Sequence, residues 1–138
     1  MTNDPAWSVM ALMLIETGVP VPLALPDVEG RVLGVLQEVV DGYVEAITLP
    51  GDLVVWIAED GAVHCPNPVA TAVVHHLSGQ LHLLLGPVVI TGSRDGRVVA
   101  VPAEADVGLR VLIGQFRRDR GLLADIDAAT LVKREWLR

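Results

Sequence analysis

The spacing of apolar and polar residues changes several times along the chain, and each change predicts an element. Trp7 to Glu16 (WSVMALMLIE) is nearly all apolar, Thr17-Gly18 interrupts, and Val19 to Leu25 (VPVPLAL) resumes the apolar character. A glycine that tolerates positive φ between two such runs predicts a β-hairpin. Pro20 and Pro22 cannot donate to a ladder. Their alternate spacing puts both missing N–H groups on one side of the strand, which predicts an edge strand with that side outward.

Pro26-Asp27 punctuates next, with Asp27 as N-cap. Val28, Val32, Val35, Leu36, Val39 and Val40 then recur at helical spacing, with Arg31, Gln37 and Glu38 on the opposite face. Asp41-Gly42 stops this helix, and Gly42 suits a left-handed C′ position. Tyr43 to Leu49 alternates, Pro50-Gly51-Asp52 turns, and Leu53 to Glu59 is apolar enough for an interior strand. Asp60-Gly61 predicts a hairpin into a strand from Ala62 to Cys65.

Asn67 before Pro68 is the order expected of an N-cap followed by proline at the first helical position, and Gly79 closes that helix. Leu81 to Leu85 and Val88 to Ile90 are strand-like runs around Gly86-Pro87, and Asp95-Gly96 predicts a further hairpin into Val98 to Val101. Leu109, Leu112, Ile113 and Phe116 mark a helix that Gly121 ends. Asp125 or Asp127 caps a last helix through Val132 and Trp136.

The resulting order is ββαβββαβββαα. Tight turns between most strands predict an α+β fold, a mainly antiparallel sheet built from hairpins with two or three helices packed on it. A chain of 138 residues is expected to form a single domain.

Composition sharpens this picture at three points. The hydrophobic fraction is 51%, more than a core of this size ordinarily requires. A core plus a subunit interface therefore fits better than a core alone, and a homo-oligomer is expected. From Gly61 to Ser93 there is no Asp, Glu, Lys or Arg. Prolines and the Ser78-Gly79-Gln80 triplet nevertheless keep every apolar run below the roughly 18 residues of a spanning helix. No basic region precedes the first apolar run, and Cys65 has no partner for an internal disulfide, so the expected location is cytoplasmic, with no membrane contact. Net charge is −7, which argues against general nucleic-acid binding. That charge is uneven: residues 1–109 hold three Arg against thirteen acids (−10), and residues 110–138 hold seven basic residues against four acids (+3).

Several short motifs carry a resemblance. They are Gly42-Tyr43-Val44-Glu45 after a helix, Leu49-Pro50-Gly51-Asp52-Leu53, the Asp60-Gly61 turn, Asn67 with Ala70 at a helix start, and Gly86-Pro87-Val88-Val89-Ile90-Thr91-Gly92. With the opening hairpin, these make residues 9–105 similar to a family of small proteins of unknown function found in phages and in bacteria, including actinobacteria. The resemblance implies a shared fold and a mobile-element context, and it implies no activity or cofactor. Residues 106–138 form a helical, basic extension beyond it.

The chemistry-bearing residues are few. His64, Cys65, His75 and His76 make up a zinc-type ligand set, and His82 lies in the same uncharged stretch. Their spacing matches no finger or ribbon, and His64 and Cys65, adjacent on a strand, would point to opposite faces. Half-buried histidines at the sheet rim and a small buried Cys65 are the simpler expectation. Cys65 near a histidine lacks an orienting acid and an oxyanion hole, so no catalytic residue is assigned and no cofactor is expected. Tyr43 and Glu45, on one strand face, and Asn67 are candidate ligand-binding residues. Arg117, Arg118, Arg120 and Trp136 are candidate partner-binding residues, with Lys133, Arg134 and Arg138 in the same basic tail. The leading expectation is a non-enzymatic binding module acting as a homodimer on a protein or small-molecule partner. The alternatives are a small enzyme or metal-binding protein with a site near His64, His75 and Tyr43, and a nucleic-acid accessory using the basic tail.

Overall fold

A computed structural model describes residues 8–26, 30–60 and 64–136, with side chains over 9–26, 30–60 and 64–133. Asp27, Val28, Gly61, Ala62 and Arg138, and the side chains of Arg134 and Trp136, lie outside the described residues.

The opening hairpin joins β1 (Ser8–Leu14) to β2 (Pro20–Pro26) in antiparallel register, with Leu12 opposite Pro22 and Leu14 opposite Pro20. Gly18 makes the turn at φ 86°, and a Cβ there would lie 2.6 Å from Val69 Cγ2. The turn therefore needs glycine both for its backbone and for its approach to the second helix. Next come α1 (Val32–Val40), β3 (Val44–Leu49), β4 (Leu53–Ala58) and α2 (Pro68–Ser78). The chain continues through β5 (Val88–Arg94), β6 (Arg97–Val99), α3 (Ala103–Arg118) and α4 (Arg120–Trp136).

The strands form one sheet in the order β2-β1-β5-β4-β3, and every pairing is antiparallel. Gly92 pairs with Leu53 of β4 on one side and Val99 of β6 on the other. Strand β6 thus continues the line of β1, and the Val101 N–H donates to Met10 O at 3.2 Å. The α+β fold with a mainly antiparallel, hairpin-built sheet is as the sequence predicts. Helices, however, cover both faces. Helix α1 packs with Val9, Ala11, Leu25, Ala58 and Val89 on one face. Helices α2 and α3 pack with Leu12, Leu14, Leu53, Val55, Val88 and Ile90 on the other. Two covered faces explain why β4 and β5 read as continuous apolar runs.

Strand β2 forms one edge of the sheet. The Ile15 N–H donates to Val19 O at 3.4 Å, which sets the ladder's phase. Odd-numbered residues of β2 bond to β1, and even-numbered ones face outward. Pro20, Pro22 and Pro26 therefore all place their missing donors on the free edge, as expected of an edge strand.

Four sequence expectations give way. Leu81 to Leu85 is not a strand: it makes only the single bridge Leu85 to Pro66, because its backbone bonds go to the start of α2. Neither His64 nor Cys65 lies in a strand. Helix α1 begins late, since Gly30 sits at φ 86°, and its left-handed terminal residue is Asp41 (φ 59°), one position before Gly42. Gly121 does not end α3. The break falls at Asp119, whose carboxylate accepts from Leu122 N–H at 3.1 Å and starts α4, leaving Asp125 and Asp127 inside α4. A good cap outweighs the roughly 1 kcal/mol cost of an early helical glycine.

Ile90 is 1% exposed on β5, opposite Leu12 on one side and Val55 on the other. Ile90→Ala is expected to lower unfolding free energy by about 2–5 kcal/mol in urea titration.

Candidate functional site

The polar interior of the protein centres on Asn67, which is fully buried. Its Oδ1 accepts from Ala70 N–H at 3.2 Å, capping α2. Its Nδ2 donates to Leu14 O at 3.0 Å and to Gly86 O at 2.8 Å. The two carbonyls can only accept and the Ala70 amide can only donate, so the orientation of the side-chain amide follows from its partners. Thr71, also fully buried, extends the tie: Oγ1 donates to Asn67 O at 3.0 Å and accepts from Leu84 N–H at 2.9 Å. The Asn67 N–H donates to Leu84 O at 2.9 Å. The side chain of this candidate ligand-binding residue is thus fully engaged inside the fold.

The candidate metal residues are not gathered. His64 and Cys65 precede α2, whereas His75 and His76 occupy its last turn. A helix of that span is about 16 Å long at 1.5 Å per residue. Among the described residues no group of three or more His, Cys, Asp or Glu is arranged to hold a metal ion. Cys65 is exposed, not a buried hydrophobe: its segment turns Asn67 inward and leaves the thiol outside. His64 is half-buried against Gly86, where a Cβ would lie 2.9 Å from the ring, and its Nε2 is buried with no hydrogen-bond partner among the described residues. His75 and His76 are exposed, and His76 meets Phe116 edge-on at 6.0 Å.

Tyr43 and Glu45 do not share a pocket. Tyr43 is 76% exposed and borders a shallow dish with Gln37, Glu38 and Asp41 at the end of α1. Glu45 lines a separate cleft of about 440 Å³ on the opposite face, with Ile47, Ile57, Glu59, Asp60, His82 and Lys133. The side chains of Glu45, Glu59, His82 and Lys133 make no hydrogen bond or ion pair with one another. Their assembly was not legible in the sequence, because β3, the end of β4, the 81–85 segment and α4 meet only in three dimensions.

A second concavity, of about 390 Å³, is mostly apolar. It lies between α2 and α3 and is lined by Pro50, Leu53, His76, Leu77, Leu109, Val111 and Leu112. Val107 and Val111 on α3 are 63% and 57% exposed. They lie off the Leu109–Ile113–Phe116 stripe, so the four-residue spacing of these valines was readable in advance. Arg117, Arg118 and Arg120 are exposed around the α3–α4 corner; the side chain of the fourth candidate, Trp136, lies outside the described residues.

A family model matches residues 10–110, from β1 into α3 and including the whole Asn67 tie. The chain belongs to the family described as a domain of unknown function, DUF3846. Neither the curated proteins nor the solved structures hold a match to it. The DUF3846 span contains the sheet from Met10 onward, α1, α2 and the first half of α3, while α4 lies beyond it.

Asn67→Ala is expected to cost about 2–4 kcal/mol in urea unfolding, from the lost cap and the lost bonds to two buried carbonyls. Asn67→Asp is expected to cost more at neutral pH, since a carboxylate would face the carbonyl oxygens of Leu14 and Gly86.

Proposed function

We propose that this DUF3846 protein is a non-enzymatic interaction module that works as a homodimer. The observation that carries this reading is the apolar surface left outside two closed cores. The sheet faces are sealed by Leu12, Leu14, Val55, Val73, Val88 and Ile90 on one side and by Leu25, Leu36, Val40 and Val89 on the other. Even so, Met10, Leu33, Tyr43, Leu81, Val107, Val111, Leu131 and Val132 are each at least 45% exposed. Large apolar side chains in such number are a surface that association can cover.

The non-enzymatic part follows the sequence, in which no catalytic set is recognised; the polar cleft offers carboxylates, an imidazole and an amine. Cys65 is exposed, with a free thiol. No helix among the described residues is long and apolar enough to cross a membrane. Nucleic acid is disfavoured: the three exposed arginines at the α3–α4 corner sit on a chain of net charge −7.

Light scattering coupled to size-exclusion chromatography at micromolar concentration is expected to return twice the 14.7 kDa chain mass. A monodisperse species of single-chain mass would refute the dimer.

A further inference from the structure

The two edges of the sheet are treated differently. The β2 edge is guarded by Pro20, Pro22 and Pro26, whose ring nitrogens stand where a pairing strand would need donors. At the other edge, the Glu59 N–H donates to Tyr43 O at 2.7 Å. This fixes the phase of the β3–β4 ladder: residues 45, 47 and 49 bond to β4, and Val44, Ala46 and Thr48 turn their N–H and C=O groups outward. No described residue bonds to those outward groups. Strand β3 contains no proline, lysine or arginine, and its one charged residue is Glu45. An open edge of this kind is the feature that soluble proteins ordinarily blunt.

We infer that the second copy of the dimer docks on this edge, β3 against β3 in antiparallel register about a two-fold axis at Ala46. This rests on the dimer reading above and specifies its surface. The register is set by chemistry. With Ala46 opposite Ala46 of the second copy, Val44 pairs with Thr48 and every outward group of β3 finds a partner. Glu45 then faces Ile47. An axis at Glu45 would put two carboxylates directly opposite, which is destabilising. An axis at Thr48 would bring Ala46 against Pro50, which has no N–H to give. In the Ala46 register Tyr43, 76% exposed in the single chain, stands at the end of the paired strands.

The test uses the full chain. Ala46→Pro removes only an outward-facing donor, so the β3–β4 ladder keeps its bonds. It is expected to retain the circular dichroism spectrum while the mass falls to 14.7 kDa, or while the dissociation constant rises by about 30-fold or more. Ala46→Lys, which sets two ammonium groups opposite each other, should act in the same direction and covers the case in which the proline variant does not fold. In a Cys65→Ser background, Ala46→Cys should form a disulfide-linked dimer on mild oxidation, because hydrogen-bonded antiparallel partners lie about 5.5 Å apart at Cα, within disulfide reach. Ala24→Cys, on the guarded edge, should not. A wild-type monomer overturns the dimer and the edge together. A wild-type dimer that survives both Ala46→Pro and Ala46→Lys and does not cross-link at position 46 overturns the edge alone. Val111→Asp then tests the α3 face as the interface.

Discussion

The amide of Asn67 joins the end of β1, the approach to β5 and the first turn of α2 in one buried cluster. It does so with one acceptor and two donors, each matched to a backbone group of opposite character. Leu14 and Gly86 each offer a buried carbonyl, and Ala70 offers one of the orphan amides of a helix start. A hydrophobic side chain of the same size would fill the space and lose all three bonds, at about 1 kcal/mol or more each. Aspartate would satisfy Ala70 and repel the other two. The position therefore specifies asparagine by donor count as well as by shape.

Much of the architecture follows from that cluster. Thr71 stands one turn along α2 and holds both ends of a bond path, from Asn67 O to Leu84 N–H. The 81–85 segment is thereby drawn to the helix and kept from joining the sheet. Its leucines still bury, Leu84 among them, but against α2. With this segment off the sheet, β5 is free to take the centre between β1 and β4. The tie is thus consistent with the observed strand order.

These arrangements also mark how far the sequence could be read. Local chemistry was legible where it acts alone: the Thr17-Gly18 and Asp95-Gly96 turns, the edge prolines, and Asn67-Pro68 opening α2. It misled where a distant partner outcompeted a local preference. Leu81 to Leu85 has strand composition, yet its amide and carbonyl groups are claimed by α2. Gly121 looks like a terminator, yet the Asp119 cap starts the next helix before it. The candidate sites fared similarly. Asn67 stood out in the sequence for its cap, while its two donor bonds span separations no local pattern reports. The cleft joining Glu45, Glu59, His82 and Lys133 depends on strand pairing and helix docking together.

That cleft and the free edge share a strand, and this ties them physically. Glu45 and Ile47 line the cleft on the face covered by α2 and α3, while the intervening Ala46 carries outward backbone groups at the edge. Alternation along a strand makes this unavoidable: the residues that shape one feature are interleaved with those that shape the other. Pairing along β3 would fix the local twist and the rotamers of Glu45 and Ile47, and so the mouth of the cleft. It would also bring the clefts of the two copies onto one continuous face, on either side of the axis. The prolines of β2 give the contrast. The fold closes that edge with residues that cannot donate, and the open edge borders a concavity that combines carboxylates, an imidazole and an amine.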